Sequence, residues 1–343
     1  MNTNSIASSG KNRIPDIDLT KAIGILLVAF GHFGAMTEQP GWFLTIKEVI
    51  YTFHMPMFIL LSGYLFGQSK ANRSIKQYLI IGFWHLIIPY LIFALIFDSI
   101  YHIITGDQIW FQALLSPLYK APQGHAVYLW FLPVLFFLQQ IARLTKKFGS
   151  MPGIFLFGLL WLVRQGIILP EWSWQLDTPL FFLSYLSYYG IYFFIGWDMN
   201  SSKKQPSRIR SAIFTLLFAA ALWIRFNMIL CHARSVLLLL ALAITGSLAV
   251  WNGMRLWRTP SAVRSFTMEL GRNSYIVYLL HPLIMYPFGW AIIHYHFNYA
   301  LMMFAAIVMS VAVSAFIWRK LLPKSKLLSF ILGNSSSSTN TSE

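Results

Sequence analysis

Residues 16–32 read Asp16-Ile17-Asp18-Leu19-Thr20-Lys21 and then Ala22-Ile23-Gly24-Ile25-Leu26-Leu27-Val28-Ala29-Phe30-Gly31-His32. The apolar run predicts a membrane-embedded helix, and its few polar side chains fall in register. At about 100° per residue, the eleven steps from Lys21 to His32 return to nearly the same face. Asp18, fourteen steps before His32, falls within roughly 40° of it. A rise of about 1.5 Å per residue puts His32 on the order of 16 Å beyond Lys21. If the helix enters a bilayer at Lys21, His32 lies near mid-membrane or beyond. An ionisable side chain is costly there and is by default a functional candidate.

The same pattern extends over the chain. Its 343 residues are 57% hydrophobic and only 11% charged, with a mean hydropathy of +0.60. A soluble domain carries about 25% charged residues. Runs of about 20 apolar residues recur throughout. They predict an all-α integral membrane protein of about ten transmembrane helices, at 17–37, 44–66, 78–98, 128–143, 152–169, 180–199, 211–230, 234–252, 273–293 and 299–319. Residues 16–322 are expected to form a single membrane-embedded domain, so an active site must be built from helices and short loops. Residues 1–15 are polar and lack the apolar core of a signal peptide. They are expected as a disordered cytoplasmic N-terminus, and residues 323–343 as a polar, disordered cytoplasmic tail. The single cysteine, Cys231, excludes an intrachain disulfide.

The net charge of +15 invites a nucleic-acid reading, which the distribution of charge argues against. With the N-terminus inside, all of the 26 Lys and Arg except Lys47, Lys120, Arg164, Arg225 and Arg234 fall on inner segments. This bias is the positive-inside signature, and it places both termini in the cytoplasm. Topology alone accounts for most of these charges. The partner it implies is a lipid bilayer.

Several further groups are candidates for chemistry. Histidine titrates near working pH, so His32 suits a general base, with Asp18 and Lys21 on the same stripe. The bland reading of the stripe is a helix-start carboxylate, an interfacial lysine and a hydrogen-bonded histidine. In Phe53-His54-Met55-Pro56, Pro56 is expected to free a carbonyl inside a hydrophobic helix, with His54 within a turn of it. Ser62 and Gly63 read as close-packing residues. Lys70, Arg73 and Lys76 lie on an inner loop and helix start; they suit a grip on phosphates, and topology explains them equally well. Tyr128-Leu129-Trp130 reads either as an interfacial aromatic belt or as a sugar-stacking surface. Asn273-Ser274 is expected to cap a helix that carries His281 beside Pro282 at mid-span. The longest connection, about 98–127, is expected to cover a site. His32, His54 and His281 lack the acidic partners and tight spacings of zinc signatures, so no metal is expected.

Taken in order, Asp16 to His32, the run Phe53 to Phe66 (FHMPMFILLSGYLF), LIIPYLIF at 86–93, YLWFLPVLF at 128–136 and GRNSYIVYLLHPLI at 271–284 resemble the acyltransferase-3 family. These are polytopic membrane acyltransferases that modify sugars and polysaccharides. The resemblance runs over roughly residues 14–320. The family's first-helix motif, a basic residue, ten residues and a histidine, falls on Lys21 and His32. Many members have arginine where this chain has Lys21. Lysine lacks the bidentate fork, so the role implied for Lys21 is that of a charge.

The resemblance implies an O-acyltransferase, acetyl being the family-weighted acyl group. It would move the group from cytoplasmic acyl-CoA to a hydroxyl of a cell-surface sugar or polysaccharide, lipopolysaccharide O-antigen among them, in a bacterial inner membrane. No cofactor is implied beyond the acyl-CoA donor, and no nucleic-acid partner. His32, Asp18 and Lys21 are implied as catalytic residues. His54, Arg73, Lys76, Trp130, Asn273 and His281 are the candidates for substrate binding, Arg73 and Lys76 at the CoA phosphates. Longer members add an esterase-like domain that this sequence does not contain, which implies transfer directly to the acceptor. A transporter or flippase of glycan intermediates, or a non-catalytic partner of a polysaccharide synthase, would share the basic inner face and the polar mid-membrane residues.

Overall fold

The computed structural model describes residues 14–34, 37–69, 74–105, 124–168, 181–200 and 207–332. All regular structure among them is helical. The helices are α1 Pro15–His32, α2 Gly41–Tyr51, α3 His54–Gln68, α4 Ile75–Gly82, α5 Ile88–Thr105, α6 Phe131–Leu144 and α7 Met151–Arg164. They continue as α8 Phe181–Met199, α9 Arg208–Asn227, α10 His232–Leu256, α11 Ala262–Arg272, α12 Ser274–Tyr295, α13 Tyr299–Phe316 and α14 Lys326–Ile331. Seven helical stretches among the described residues are long and apolar enough to cross a membrane, from Gly41–Gln68 to Tyr299–Lys324. α7 is a shorter apolar helix, and α1 carries three charged residues in its first two turns. The protein is a multi-pass membrane protein.

α1 sits at the centre and packs against α2, α3, α10, α11, α12 and α13. Its buried face reads Ile17, Leu19, Ala22, Ile25, Val28 and Ala29. Many outer positions of the peripheral helices are exposed large apolar side chains, such as Phe155, Leu216 and Phe304. That inversion is expected of helices whose outer face meets lipid.

Small residues set a close helix pair. A Cβ on Gly63 of α3 would lie 1.8 Å from the Phe193 carbonyl oxygen of α8, and one on Gly196 of α8 would lie 2.0 Å from that of Leu60 on α3. The two backbones touch at reciprocal glycines, so the packing role expected of Gly63 is what the structure shows. Without a hydrophobic drive between helices in lipid, such contact is a main source of association.

Four expectations change. The span expected at 44–66 is broken into α2 and α3 at Thr52–Phe53. Pro56 therefore stands in the first turn of α3, where the missing N–H has no partner to lose, rather than inside a helix. The connection between the spans expected at 234–252 and 273–293 folds in part into α11, whose last turn lies against the start of α1. Residues 326–331 of the tail expected as disordered form α14, begun by Ser325, whose hydroxyl accepts from the Leu328 N–H. Phe330 of α14 lies against Trp84, and Leu332 is buried in the core. Residues 1–13 and 333–343 lie outside the described residues, as does most of the 98–127 connection.

Candidate active site

Three interruptions of helical hydrogen bonding meet around His32. The first is the end of α1 itself, where the last carbonyls have no helical partner. Side chains supply the missing donors. Tyr51 Oη donates to the Gly31 carbonyl at 2.8 Å, and Tyr299 Oη to that of Phe33 at 3.3 Å. Gln39 Nε2 donates to the carbonyls of Phe33 and Gly34, each at 3.2 Å. A helix can end inside a membrane protein only if its backbone is satisfied in this way.

The second break, Thr52–Phe53, starts α3 at His54. The His54 ring is buried against Tyr51, with centroids 4.8 Å apart. Its Nδ1–H donates to the Ile50 carbonyl at 2.9 Å, which leaves Nε2 as the lone-pair nitrogen.

The third is the His281-Pro282 step inside α12. His281 is fully buried, and its Nδ1 faces the carbonyls of Tyr278 at 2.8 Å and Val277 at 3.1 Å. Its Nε2 lies 2.9 Å from Nδ1 of His32. The two rings are stacked, with centroids 5.1 Å apart. The second face of His32 meets Tyr128 at 4.7 Å, and Tyr278 Oη holds the Tyr128 carbonyl at 2.6 Å. His32 is half-buried rather than sealed. His281, His54 and Lys47 lie within electrostatic reach of it. Lys47 is held by Gln39 Oε1 at 3.3 Å and lies 5.3 Å from the centre of the Tyr51 ring.

The other expected residues gather elsewhere. Asp18 accepts from Nε of Arg272 at 3.0 Å, Asp16 lies 3.4 Å from Nε of Arg255, and Arg319 pairs with Glu269. This ionic end lies about 21 Å along α1 from His32, at fourteen residues of 1.5 Å rise. Lys21 is half-buried, one turn from Asp18. The stripe read from the sequence thus joins two separate places rather than one cluster.

Asn273 does not cap α12 as expected. Its Nδ2 donates to the Glu269 carbonyl at 2.9 Å and closes the end of α11. Beside it is a cavity of about 290 Å³ lined by His85, Arg272, Asn273, Tyr275 and Leu332 among others. Lys76 is exposed on α4, and Arg73 lies outside the described residues. Trp130 is buried, its ring laid across Tyr185 and Tyr189 at centroid distances of 4.5 and 4.6 Å.

Sequence reading did not find Gln39, Lys47, Tyr51 or Tyr278. Their roles depend on contacts across the bundle, and no local motif marks them. Among the described residues, no group of three or more His, Cys, Asp or Glu converges into a metal-holding cluster.

The chain matches a family model described as an acyltransferase domain over residues 14–319. It is similar to the nodulation protein NolL of Mesorhizobium japonicum, with 24% identity over 313 residues that cover 80% of this chain and 78% of that protein. It is also similar to the nodulation protein NolL of Sinorhizobium fredii, with 29% identity over 93 residues, 23% of this chain and 25% of that protein. No solved structure matches. The protein is an acyltransferase, and the chain belongs to the acyltransferase family that its five sequence blocks resemble.

Proposed function

We propose that this protein is an O-acetyltransferase of a bacterial inner membrane, with about ten spans and both termini cytoplasmic. It would take an acetyl group from cytoplasmic acetyl-CoA and esterify a hydroxyl of a cell-surface sugar or polysaccharide precursor. The carrying observation is the His32–His281 pair: a half-buried imidazole at a helix end inside the bundle, hydrogen-bonded through Nδ1 and with Nε2 left for chemistry.

In this reading, His32 Nε2 takes the proton of the acceptor hydroxyl as its oxygen attacks the thioester carbonyl. The carbon–sulfur bond breaks, and the departing CoA thiolate receives that proton. The products are the O-acetyl ester and free CoA. The ionic end supplies the donor's approach. Arg73, Lys76 and Arg272 would bind its phosphates, and Asp18 and Lys21 would order the inner part of the path. Asn273, beside the cavity, stands about 12 Å along α12 from His281, at eight residues of 1.5 Å rise. His54, Lys47 and the Trp130–Tyr185–Tyr189 wall shape the acceptor side.

The test has two arms. Purified protein in proteoliposomes is expected to release CoA from acetyl-CoA only when a glycan acceptor is present. A strain lacking the gene is expected to lose an O-acetyl ester from its surface glycan. Wild type is expected to restore the ester, and His32→Ala at matched membrane levels is not. An ester pattern unchanged by deletion, with altered glycan amount or location, would overturn the reading in favour of transport or assembly.

A further inference from the structure

We infer that Pro282 and His281 together fix the tautomer of His32, so that the lone pair of its Nε2 points to the reacting groups. His281 is thereby a positioning residue. The inference deepens the proposed acyl transfer and rests on it for its kinetic consequences, but not for the tautomer itself.

The chain of cause begins with a missing hydrogen. In a helix, the carbonyl of Tyr278 would bond to the N–H of residue 282, four positions on. Proline has none. In a membrane bundle a carbonyl orphaned in this way is satisfied by another donor nearby. The His281 ring lies 2.8 Å away through Nδ1. A neutral imidazole carries one N–H, so a proton held on Nδ1 by two carbonyls leaves Nε2 of His281 as an acceptor. The atom facing that acceptor at 2.9 Å is Nδ1 of His32, which must therefore carry the proton of its own ring. The second nitrogen of His32 is then unprotonated. The tautomers are assigned by this network of partners.

The arrangement resembles the logic by which a carboxylate orients a catalytic histidine, with a neutral acceptor in its place. That substitution suits its depth. A buried carboxylate would bring an uncompensated charge into a low-dielectric bundle, whereas imidazole orients the ring at far smaller desolvation cost. When His32 takes a proton, the 2.9 Å bond to His281 strengthens as a charge-assisted one.

The test separates orientation from mere packing. Gln places its side-chain oxygen near the position of histidine Nε2, whereas Asn reaches only the position of Nδ1. His281→Gln should therefore retain activity within about tenfold of wild type. His281→Asn and His281→Leu should lose about a hundredfold or more in kcat, within the range of general-base catalysis, with KM nearly unchanged. Pro282→Ala gives the Tyr278 carbonyl back its backbone donor and should lower kcat several-fold. Nitrogen NMR of histidine-labelled full-length protein in nanodiscs reads the tautomer without turnover. His32 should be protonated at Nδ1 in wild type and become a mixture in His281→Leu and Pro282→Ala. His32 protonated at Nε2 in wild type, or Asn rescuing as well as Gln, would overturn the inference. Absence of acyl transfer from wild type with the Nδ1 tautomer present would instead sink the proposed reaction alone.

Discussion

Asp18, near the start of α1, accepts a 3.0 Å hydrogen bond from Nε of Arg272, the last residue of α11. Fourteen residues on, α1 ends at the bond from His32 to His281, nine residues beyond Arg272. α1 is thus tied at two levels to one continuous segment. The sequence stripe contains both ties, but only the second lies at the site of proposed chemistry.

This separation predicts different mutational costs. The Asp18–Arg272 pair is partly exposed, the Arg272 side chain by 40%, so its worth is at most about 1 kcal/mol. Asp18→Asn and Arg272→Gln are expected to lower kcat less than about tenfold, and the swap Asp18→Arg with Arg272→Asp to recover part of the loss. A carboxylate acting directly as acid or base would cost on the order of 10²–10⁴ and no swap would restore it. Steady-state rates on the four proteins decide between the roles.

Tyr51 carries a different burden. Its hydroxyl satisfies the Gly31 carbonyl at the interior end of α1, one residue before His32. Tyr51→Phe leaves that oxygen without its donor, at a cost of about 1–3 kcal/mol. The expected outcome is a lower midpoint of thermal unfolding in detergent. Activity per folded molecule should fall as well, because the end of α1 that positions His32 loosens. A melting curve identical to wild type would show that another donor replaces Tyr51.

The reciprocal contact of Gly63 with Phe193 and of Gly196 with Leu60 predicts the most severe effect on folding. Neither approach leaves room for a methyl group, and the clash is with backbone rather than a side chain that can move. Gly63→Ala and Gly196→Ala should each force α3 and α8 apart, and overpacking of this kind costs at least about 1–3 kcal/mol. Fluorescence-detected size exclusion of tagged protein should show loss of the monodisperse peak, more so for Gly63→Val. A wild-type profile for both alanine variants would refute the close approach.

The membrane class, the helical character and the candidacy of His32, His54 and His281 were legible because each rests on local sequence. Apolar length marks a span, and an ionisable residue within one stands out. Breaks were harder. The proline in His54-Met55-Pro56 is a signal for a helix start as well as for a kink, and only the packing of Tyr51 on Gly31 shows which applies. α11 was hidden because its sequence, Ala262 to Arg272, is polar on one side and buries its last turn against α1. Asn273 looked like a cap, yet the Glu269 carbonyl competes for its amide. The pairing of His32 with His281 joins residues 249 apart in sequence, a relationship that no local pattern encodes.

The polar end offers a prediction in pH. Glu269 accepts from Arg319 and, at 2.7 Å, from Nε1 of Trp318, which joins α11 to the end of α13. The hydrogen bond from Arg319 holds its carboxyl below the ordinary carboxylate range. A group with a depressed folded-state pKa stabilises the fold above its unfolded value, about 4.3 for Glu, and loses that contribution as pH falls through the folded value. Wild type should therefore lose thermal stability as pH falls from about 5 through the depressed folded value. Glu269→Gln should show a shallower dependence there and a lower melting temperature at pH 7. The exposed Arg319 limits the effect to the small size of a solvent-screened surface pair. Parallel acid profiles for the two proteins would show that the Glu269 carboxylate contributes nothing to joining α11 and α13.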